Sequence, residues 1–181
     1  AFGIHIEGAV SASYAEIASR KDKVVKTLTS GVAYKLKSAG VTVVNETALL
    51  DGEEGEVIRI RAGKETYLVS FVLLATGSST VIPPIPGLSE VAYWTSREAL
   101  AAKTLPQDIT IIGGGVIGME FAGIYSSLGV PVQVVEMAPE ILGAMDKETS
   151  AMLRKEYASR GVKFHLGAKV VIVSKEGVTI E

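Results

Sequence analysis

The sequence predicts an α/β fold with an antiparallel β-meander in its first half and a strand–helix–strand (βαβ) unit in its second half. Residues 41–74 contain apolar or alternating runs separated by short glycine-containing turns, which is typical of consecutive antiparallel strands. Residues 108–137 contain two apolar runs on either side of a glycine-rich turn and a segment with helical periodicity. That order is the order of a βαβ unit. A hydrophobic content of 48% in 181 residues is typical of globular domains.

The same periodicities give the elements in order. Strands are predicted over residues 1–6, 41–50, 56–61 and 66–74, with turns at 51–55 and 62–64. A long helix is predicted over 13–37 and a short one over 95–103, capped by Thr95 or Ser96. The βαβ unit has strands at 109–112 and 132–135, and its helix stops at Gly129. A helix over 147–159, with Met152, Leu153 and Tyr157 on its apolar side, precedes strands at 162–166, 170–173 and after Gly177.

The glycine-rich turn of the βαβ unit reads Gly113-Gly114-Gly115-Val116-Ile117-Gly118. Gly113 permits a sharp turn at the end of the strand, since glycine lacks the Cβ atom that restricts φ and ψ. Gly115 leaves room for a pyrophosphate to approach the backbone, and Gly118 lets the helix pack closely on the strand. The free N–H groups at the start of the helix favour phosphate. We therefore expect this turn to bind a dinucleotide.

Glu136 closes the second strand roughly 20 positions after the first glycine, where an acid accepts hydrogen bonds from the ribose hydroxyls. A carboxylate at this place repels a 2′-phosphate, so the sequence favours NAD over NADP. A strand before the turn, a helix after it and the acid in place make the motif far more specific than three glycines alone.

Composition excludes several function classes. The net charge of −2 gives no electrostatic footprint for nucleic acid or for an anionic membrane. No apolar run has the length of a membrane span. Cysteine is absent, so the chain has no disulfide and no thiolate, and His5 and His165 are too few for a histidine metal cluster. Because residue 1 is Ala and the last residues lie inside a predicted strand, we expect a piece of a longer protein.

Three further stretches carry a resemblance to a known family. Residues 75–78 read ATGS before a proline-rich connection, residues 111–122 read IIGGGVIGMEFA, and residues 134–137 read VVEM. Together they resemble the flavin-dependent pyridine nucleotide–disulfide oxidoreductases, and within them the dihydrolipoamide dehydrogenases. Residues 26–37 (KTLTSGVAYKLK) resemble the segment that follows the redox disulfide of those enzymes.

The resemblance implies a Rossmann-like, three-layer FAD/NAD(P)-binding fold in which both domains are incomplete. Residues 1–86 would be the second part of the FAD-binding domain, 87–107 a connector and 108–181 the first part of the NAD-binding domain. The longer parent would use FAD, NAD and a redox disulfide to oxidise dihydrolipoamide. It would be a cytoplasmic homodimer and a possible member of a 2-oxo acid dehydrogenase complex. Without cysteine, this chain is expected to bind NAD at most and to lack turnover.

The resemblance also assigns site residues by position. On the NAD side these are Gly113, Gly114, Gly115 and Gly118 in the pyrophosphate turn, Val116 and Ile117 beside the nicotinamide half, Glu120 near the carboxamide, Glu136 at the ribose and Val170 beside the adenine. On the flavin side they are Ala48, Ala75, Thr76, Gly77 and Ser78.

Structural alternatives stay open for Val170, for Glu120 and for residues 75–78. Val170 would be apolar in a strand without any ligand, and residues 75–78 could be a turn that ends a strand. Glu120, expected in the first helical turn, could complement the helix dipole.

Two other functions remain open at this point. A parent of the same family could reduce another acceptor, such as a peroxide, a mercuric ion or glutathione. Alternatively, the chain could be a stand-alone dinucleotide-binding or sensor module without redox chemistry, which the lack of cysteine favours.

Overall fold

A computed structural model of the protein describes residues 8, 9 and 11–181. The predicted strand over residues 1–6, and His5 within it, lie outside the described residues. The chain forms two compact units, Lys21–Thr80 and a second unit made of Ala1–Arg20 with Val81–Glu181. We call them the meander unit and the glycine-turn unit, after the β-meander and the glycine-rich turn that they contain. The domain boundaries of the sequence analysis stay a prediction.

The meander unit contains most of the long helix α1 (Tyr14–Ser38) and an antiparallel sheet. The sheet has the strand order β1 (Ala48–Glu54), β2 (Val57–Ala62) and β3 (Glu65–Val69), with both strand pairs antiparallel. The predicted helix and the predicted meander are therefore confirmed.

Two predicted strand ends in this unit are wrong. The strand predicted over 41–50 begins only at Ala48, because Ala48 pairs with Ala62 at the end of β2 and β2 offers no partner beyond it. The strand predicted over 66–74 ends at Val69, which pairs with Ile58 close to the start of β2. Strand length is set by the partner strand, which the local sequence pattern does not contain.

The turn predicted over 51–55 is also misplaced. The strand β1 continues through these residues with a register shift between Leu50 and Glu53, and Gly52 adopts a φ of 94° there. The chain reverses only at Gly55 and Glu56, at the end of the predicted stretch, and the φ of Gly55 is 64°. A glycine inside a strand is typical of such a bulge.

The glycine-turn unit begins with a connection that contains a 3₁₀ turn (Leu88–Glu90) and the short helix α2 (Ser96–Ala101). Thr95 caps α2 as predicted: its side chain accepts a hydrogen bond from the backbone of the first turn, and Glu98 accepts one from the backbone N–H of Thr95. This reciprocal arrangement is a capping box.

The centre of this unit is a parallel sheet with the strand order β4 (Ile109–Ile112), β5 (Val132–Glu136) and β6 (Lys163–Leu166). Helix α3 (Val116–Ser127) connects β4 to β5, and helix α4 (Lys147–Ser159) connects β5 to β6. The hairpin of β7 (Val170–Ser174) and β8 (Gly177–Ile180) follows. The βαβ unit and the helix over 147–159 are confirmed.

Hydrophobic cores lie on both faces of the parallel sheet. On one face, Val132 and Val134 of β5 join a cluster with Met119, Ala122 and Tyr125 of α3. On the other face, Val135 packs with Leu88, Val170 and Val173. Because neighbouring strand residues point to opposite faces, β5 carries both clusters and forms the middle layer of three.

Helix α4 packs on the first of these clusters through Leu153 and Tyr157, as predicted. Met152, predicted on the same apolar side, is instead 69% exposed. The buried face of an amphipathic helix covers only part of its circumference. In α4, Leu153 lies on that face, and the preceding residue, Met152, lies outside it.

Candidate functional site

The glycine-rich turn leaves β4 with Gly113 in a conformation that L side chains rarely adopt, at a φ of 107°. The N–H of Gly113 donates a hydrogen bond to the carbonyl oxygen of Val135 (2.8 Å), which ties the turn to the end of β5. A substitution at Gly113 would therefore be strained even though a Cβ atom there would meet no neighbour within 4 Å.

The third glycine of the motif fills a packing position. A Cβ atom on Gly118 would lie 2.1 Å from the carbonyl oxygen of Gly113 and 3.2 Å from Cγ2 of Ile111. Only a residue without a side chain allows α3 to approach the turn and β4 so closely. The structure thus contains the close helix–strand packing that the sequence predicts for this glycine.

Gly115, the second glycine of the dinucleotide motif, differs because it faces open space. Gly115 precedes the first residue of α3 with φ −72° and ψ −179°, which any residue can adopt, and a Cβ atom there would meet nothing within 4 Å. No side chain among the described residues caps this helix. Val116 and Ile117, the next two residues, are 57% and 60% exposed. The N-terminus of α3 therefore presents backbone N–H groups and partial positive charge to an accessible space.

Glu136 lies at the end of β5, half-buried, beside the turn. Its Oε2 accepts a hydrogen bond from the N–H of Gly114 (2.6 Å), and its Oε1 accepts one from the N–H of Ala138 (2.6 Å). A carboxylate has roughly four acceptor positions, so this bracing leaves room for ligand hydroxyls. The acid that the sequence places at the ribose is thus fixed in direct contact with the glycine turn.

A loop after β5, residues 138–146, completes the surroundings of the turn. The N–H of Leu142 donates to the carbonyl oxygen of Gly114 (2.9 Å). Ile141 is fully buried, and its Cγ2 would lie 3.0 Å from a Cβ atom on Gly114. The loop therefore contacts the turn through both a hydrogen bond and side-chain packing.

Helix α4 holds this loop through an ion pair. Nε and Nη2 of Arg154 donate to Oε1 and Oε2 of Glu140 at 2.8 and 3.0 Å, a two-point arrangement. Hydrogen bonding to Arg154 holds the pKa of Glu140 below its ordinary value, and Glu140 in turn raises the pKa of Arg154. At the start of α4, the N–H of Thr149 donates to Asp146 and lowers the pKa of that carboxyl group.

Several predicted site residues lie apart from this cluster. Glu120 is exposed and is the fifth residue of α3, so it lies in the second helical turn. The sequence had predicted it in the first turn. The side chain of Val170 is buried against Val135 in the second core cluster.

The predicted flavin residues belong to the meander unit and are exposed. Ala48 pairs with Ala62 at the start of β1, whereas residues 75–78 have no regular structure and follow no strand. A Cβ atom on Gly77 would meet no heavy atom within 4 Å, so no described group packs on the segment at this residue. The described residues thus assemble the NAD-side positions of the turn and leave the flavin-side positions unassembled.

Four residues that shape this site were not predicted from the sequence. Gly123 lets α4 approach α3, since a Cβ atom there would lie 2.5 Å from the hydroxyl oxygen of Tyr157. A glycine inside a predicted helix, where it lowers helix propensity, is a signal that could have shown it. Leu142 and the pair Glu140–Arg154 have no local sequence signature, because their roles depend on residues brought together by the fold.

The residues of this site are suited to binding a ligand. The described residues contain no group of His, Asp or Glu that could hold a metal ion. Oriented N–H groups, open space above Gly115 and a braced carboxylate suit a ligand that combines phosphate with neighbouring hydroxyls. Among the described residues, no helix is both long enough and apolar enough to span a membrane.

Comparisons with known proteins agree with this geometry. A family model described as pyridine nucleotide-disulphide oxidoreductase matches residues 3–181. The dihydrolipoyl dehydrogenase of Acholeplasma laidlawii is 40% identical over 183 residues, which cover 98% of this chain and 53% of the relative. The dihydrolipoyl dehydrogenase of Chlorobaculum tepidum is 37% identical over 99% of this chain and 39% of its own length.

Solved structures show the same fold. The crystal structure of LpdA from Mycobacterium tuberculosis has a TM-score of 0.81 at 27% identity, covering 96% of this chain and 40% of that protein. The HOCl-induced flavoprotein disulfide reductase RclA from Escherichia coli has a TM-score of 0.81 at 26% identity, covering 94% of this chain and 39% of that protein. The predicted Rossmann-like fold class is thereby confirmed.

The chain spans between about two fifths and about half of the length of these relatives. The family match covers all of the described residues, including the glycine turn, Glu136 and the loop that contacts them. The chain belongs to the pyridine nucleotide-disulphide oxidoreductase family.

Proposed function

We propose that this chain supplies the NAD-binding turn of a flavin-dependent dihydrolipoyl dehydrogenase and binds NAD through residues 113–118 and Glu136. The observation that carries the proposal is the open space above Gly115, which lies between the uncapped N-terminus of α3 and the turn that Glu136 braces. The pyrophosphate would lie against the helix N-terminus, and the ribose hydroxyls would donate to Glu136.

The glycines support this proposal by their different surroundings. Gly118 is required by packing within the protein, because a side chain there would collide with the backbone of Gly113. No packing contact within the protein requires Gly115 to be a glycine. A bound pyrophosphate that approaches the backbone supplies the missing reason for a glycine at that position.

Glu136 would also select the dinucleotide. Its carboxylate is held in place by two backbone N–H groups, so it is not free to turn away from a ligand. A 2′-phosphate would meet that fixed negative charge, which favours NAD over NADP.

For the complete protein we propose the reaction of the relatives named dihydrolipoyl dehydrogenase. NAD, when bound, supplies hydride transfer. This chain's own residues would bind and orient the dinucleotide, while the dithiol chemistry would belong to cysteines that this chain does not contain. FAD would be bound by the complete protein, and its predicted contacts in this chain, Ala48 and residues 75–78, are exposed.

The wider assignments are proposals as well. We propose a homodimer for the complete protein, membership in a 2-oxo acid dehydrogenase complex and a cytoplasmic location. Their support is the resemblance to dihydrolipoyl dehydrogenases. The parent with another acceptor remains the alternative, and the similarity to RclA, a flavoprotein disulfide reductase, supports it.

Titration of the purified chain with NADH, followed by NADH fluorescence, tests the proposed binding. We expect saturable binding, weaker binding of NADPH, and a loss of affinity of about tenfold or more in Gly115→Val, equivalent to about 1.4 kcal/mol. The variant should stay folded, because a Cβ atom on Gly115 would meet no neighbouring heavy atom within 4 Å. Replacing a glycine N-cap by valine should lower the free energy of unfolding by about 1 kcal/mol.

Gly31→Val is the matched control, since Gly31 in α1 also faces open space but lies far along the chain from the turn. It should bind NADH like the unaltered chain. No binding at about 1 mM NADH, or equal binding by Gly115→Val, would refute the proposed site.

A further inference from the structure

We propose that Arg154 is a positioning residue for the glycine turn, which it holds through Glu140 and the backbone of the loop at residues 138–146. The proposal rests on the proposed NAD site, since it concerns how that site is kept in its binding form. It adds a residue of α4 whose hydrogen bonds go to Glu140 and not to the turn itself.

Gly114 is the point at which this support acts. Its N–H donates to Glu136, its carbonyl oxygen accepts from the N–H of Leu142, and its Cα faces Ile141. Three contacts from β5 and the following loop thus hold one residue in the middle of the turn. The residue after it, Gly115, is the one that faces the open space.

Leu142 makes its contact at an energetic cost. Its φ is 53°, and it is the single non-glycine residue with a positive φ among the residues that the structure describes. The left-handed conformation costs a residue with a Cβ atom about 1–2 kcal/mol. Such a conformation persists where the surroundings determine it from more than one side.

Glu140 and Arg154 provide that determination on the side away from the turn. Oε1 of Glu140 accepts a hydrogen bond from the N–H of Ile141 (3.0 Å) as well as from Nε of Arg154. Arg154 therefore fixes the carboxylate that fixes the peptide group between Glu140 and Ile141, one residue before Leu142. The planar guanidinium binds both oxygens, which restricts the rotation of Glu140 as a single hydrogen bond would not.

The consequence is a preorganised turn. Without Arg154, Glu140 can rotate, Leu142 can relax to a negative φ, and the carbonyl oxygen of Gly114 loses its donor. The turn would then spend part of its time in other conformations. Apparent affinity falls in proportion to the fraction of molecules in the binding form.

The same helix provides a matched control. Arg160 binds Glu156 at 2.8 Å, an ion pair within α4 at an i,i+4 spacing. Its side chains are 47% and 55% exposed, against 36% and 23% for Arg154 and Glu140. Each pair joins an arginine to a glutamate and has one member on α4, but only Glu140 belongs to the loop that contacts the turn.

The first test compares Arg154→Met, Arg154→Lys, Glu140→Gln and Arg160→Met with the unaltered chain. NADH, ADP and adenosine are titrated by calorimetry at a temperature where circular dichroism shows every variant to be folded. We expect Arg154→Met to bind NADH and ADP about fivefold more weakly, as it would if about a fifth of the molecules kept the binding form.

Adenosine separates positioning from a general loss of structure, because it lacks the phosphates that the turn would bind. Its affinity should stay unchanged in Arg154→Met. The NADH and ADP affinities of Arg154→Lys should lie between those of Arg154→Met and those of the unaltered chain, since an ammonium group keeps the charge but not the two-point geometry. Arg160→Met should bind all three ligands normally.

A second measurement needs no ligand. Amide hydrogen exchange at Leu142 should be faster in Arg154→Met and in Glu140→Gln than in the unaltered chain, and unchanged in Arg160→Met. If the unaltered chain bound no NADH, the proposed function would fail while this measurement would still decide the role of Arg154. Unchanged exchange at Leu142, normal NADH binding by Arg154→Met, or an equal loss for adenosine would each overturn the proposal.

Discussion

The glycine-turn unit and the meander unit both contain regular helices and strands, but they differ in what they bury. The glycine-turn unit has two hydrophobic clusters, one on each face of β5. In the meander unit, residues 21–80, only Ala62 is buried. Apolar residues at helical spacing along α1, including Val25, Leu28 and Val32, are 52%, 65% and 58% exposed. Apolar periodicity therefore predicts a local helix or strand, whereas a hydrophobic core also requires a second element that packs against the apolar face.

The difference also explains where a site is formed. In the glycine-turn unit, the parallel sheet brings the ends of β4 and β5 together, and this places Glu136 on the glycine turn although the two are separate in sequence. In the meander unit, the predicted flavin residues lie at a strand end and in an irregular segment, and both are exposed. In this chain, the candidate binding site lies in the unit that contains the two hydrophobic clusters.

The largest effect is expected from a matched pair of tyrosines. Tyr125 in α3 is 1% exposed, whereas Tyr34 in α1 is 73% exposed. Tyr125→Ala should lower the free energy of unfolding by about 3–5 kcal/mol, because it leaves a cavity in the first cluster. Tyr34→Ala should change it by about 0.5 kcal/mol or less. Denaturant titration followed by circular dichroism measures both, and equal losses would contradict the difference between the units.

A matched pair of helical glycines should give effects of opposite sign. Gly118→Ala should destabilise the protein by about 1–3 kcal/mol, since its Cβ atom would lie 2.1 Å from the oxygen of Gly113. Gly31→Ala in α1 meets no neighbour and should stabilise the helix by about 0.5–1 kcal/mol. Thermal unfolding of the two variants distinguishes them. A stabilising Gly118→Ala would show that α3 can move away from the turn at little cost.

The buried hydroxyl of Ser150 predicts a smaller effect. This side chain of α4 is 1% exposed, and its Oγ has no hydrogen-bond partner among the described residues. Ser150→Ala should raise the free energy of unfolding by about 1 kcal/mol, since burying an unpaired hydroxyl is unfavourable. The exposed Ser30 of α1 is the control, where alanine should add only a few tenths of a kcal/mol through helix propensity. Equal effects of the two substitutions in chemical denaturation would count against this assignment.

The smallest effect concerns pH. Hydrogen bonding to Arg154 lowers the pKa of Glu140 in the folded chain. Its stabilising contribution is therefore present above the unfolded pKa and lost as the pH falls through the lower folded pKa. Glu140→Gln should cost about 1 kcal/mol or less near neutral pH, and the difference from the unaltered chain should shrink as the pH falls through the lowered pKa of Glu140. Unfolding curves at several pH values test this, and a difference that grew in acid would contradict it.

Signals that are local in sequence predicted the fold well. The helix over 147–159 has its predicted bounds, because Asp146 caps its start and Arg160-Gly161 end it. The capping box at Thr95 and Glu98 is equally local. The order of the βαβ unit follows from the glycine motif and the apolar runs around it, so the turn and Glu136 could be found without coordinates.

What the sequence could not show depends on partners from elsewhere in the chain. The end of β3 is set by β2, and the exposure of Met152 is set by the arc that α3 and the sheet cover. The left-handed conformation of Leu142 has no signature in a leucine, and the Glu140–Arg154 pair joins a loop to a later helix. Each of these features is a tertiary contact, which no window of neighbouring residues contains.

The bracing of Glu136 also limits how this site could be redesigned or could diverge. Its two oxygens accept hydrogen bonds from the N–H groups of Gly114 and Ala138, so the carboxylate is a structural component of the turn before any ligand arrives. A basic side chain, the simplest change toward a phosphorylated ribose, would remove both acceptors and leave two backbone donors unpaired. A lineage that changed its dinucleotide preference would therefore need a second substitution that restores an acceptor, and the order of the two changes would matter.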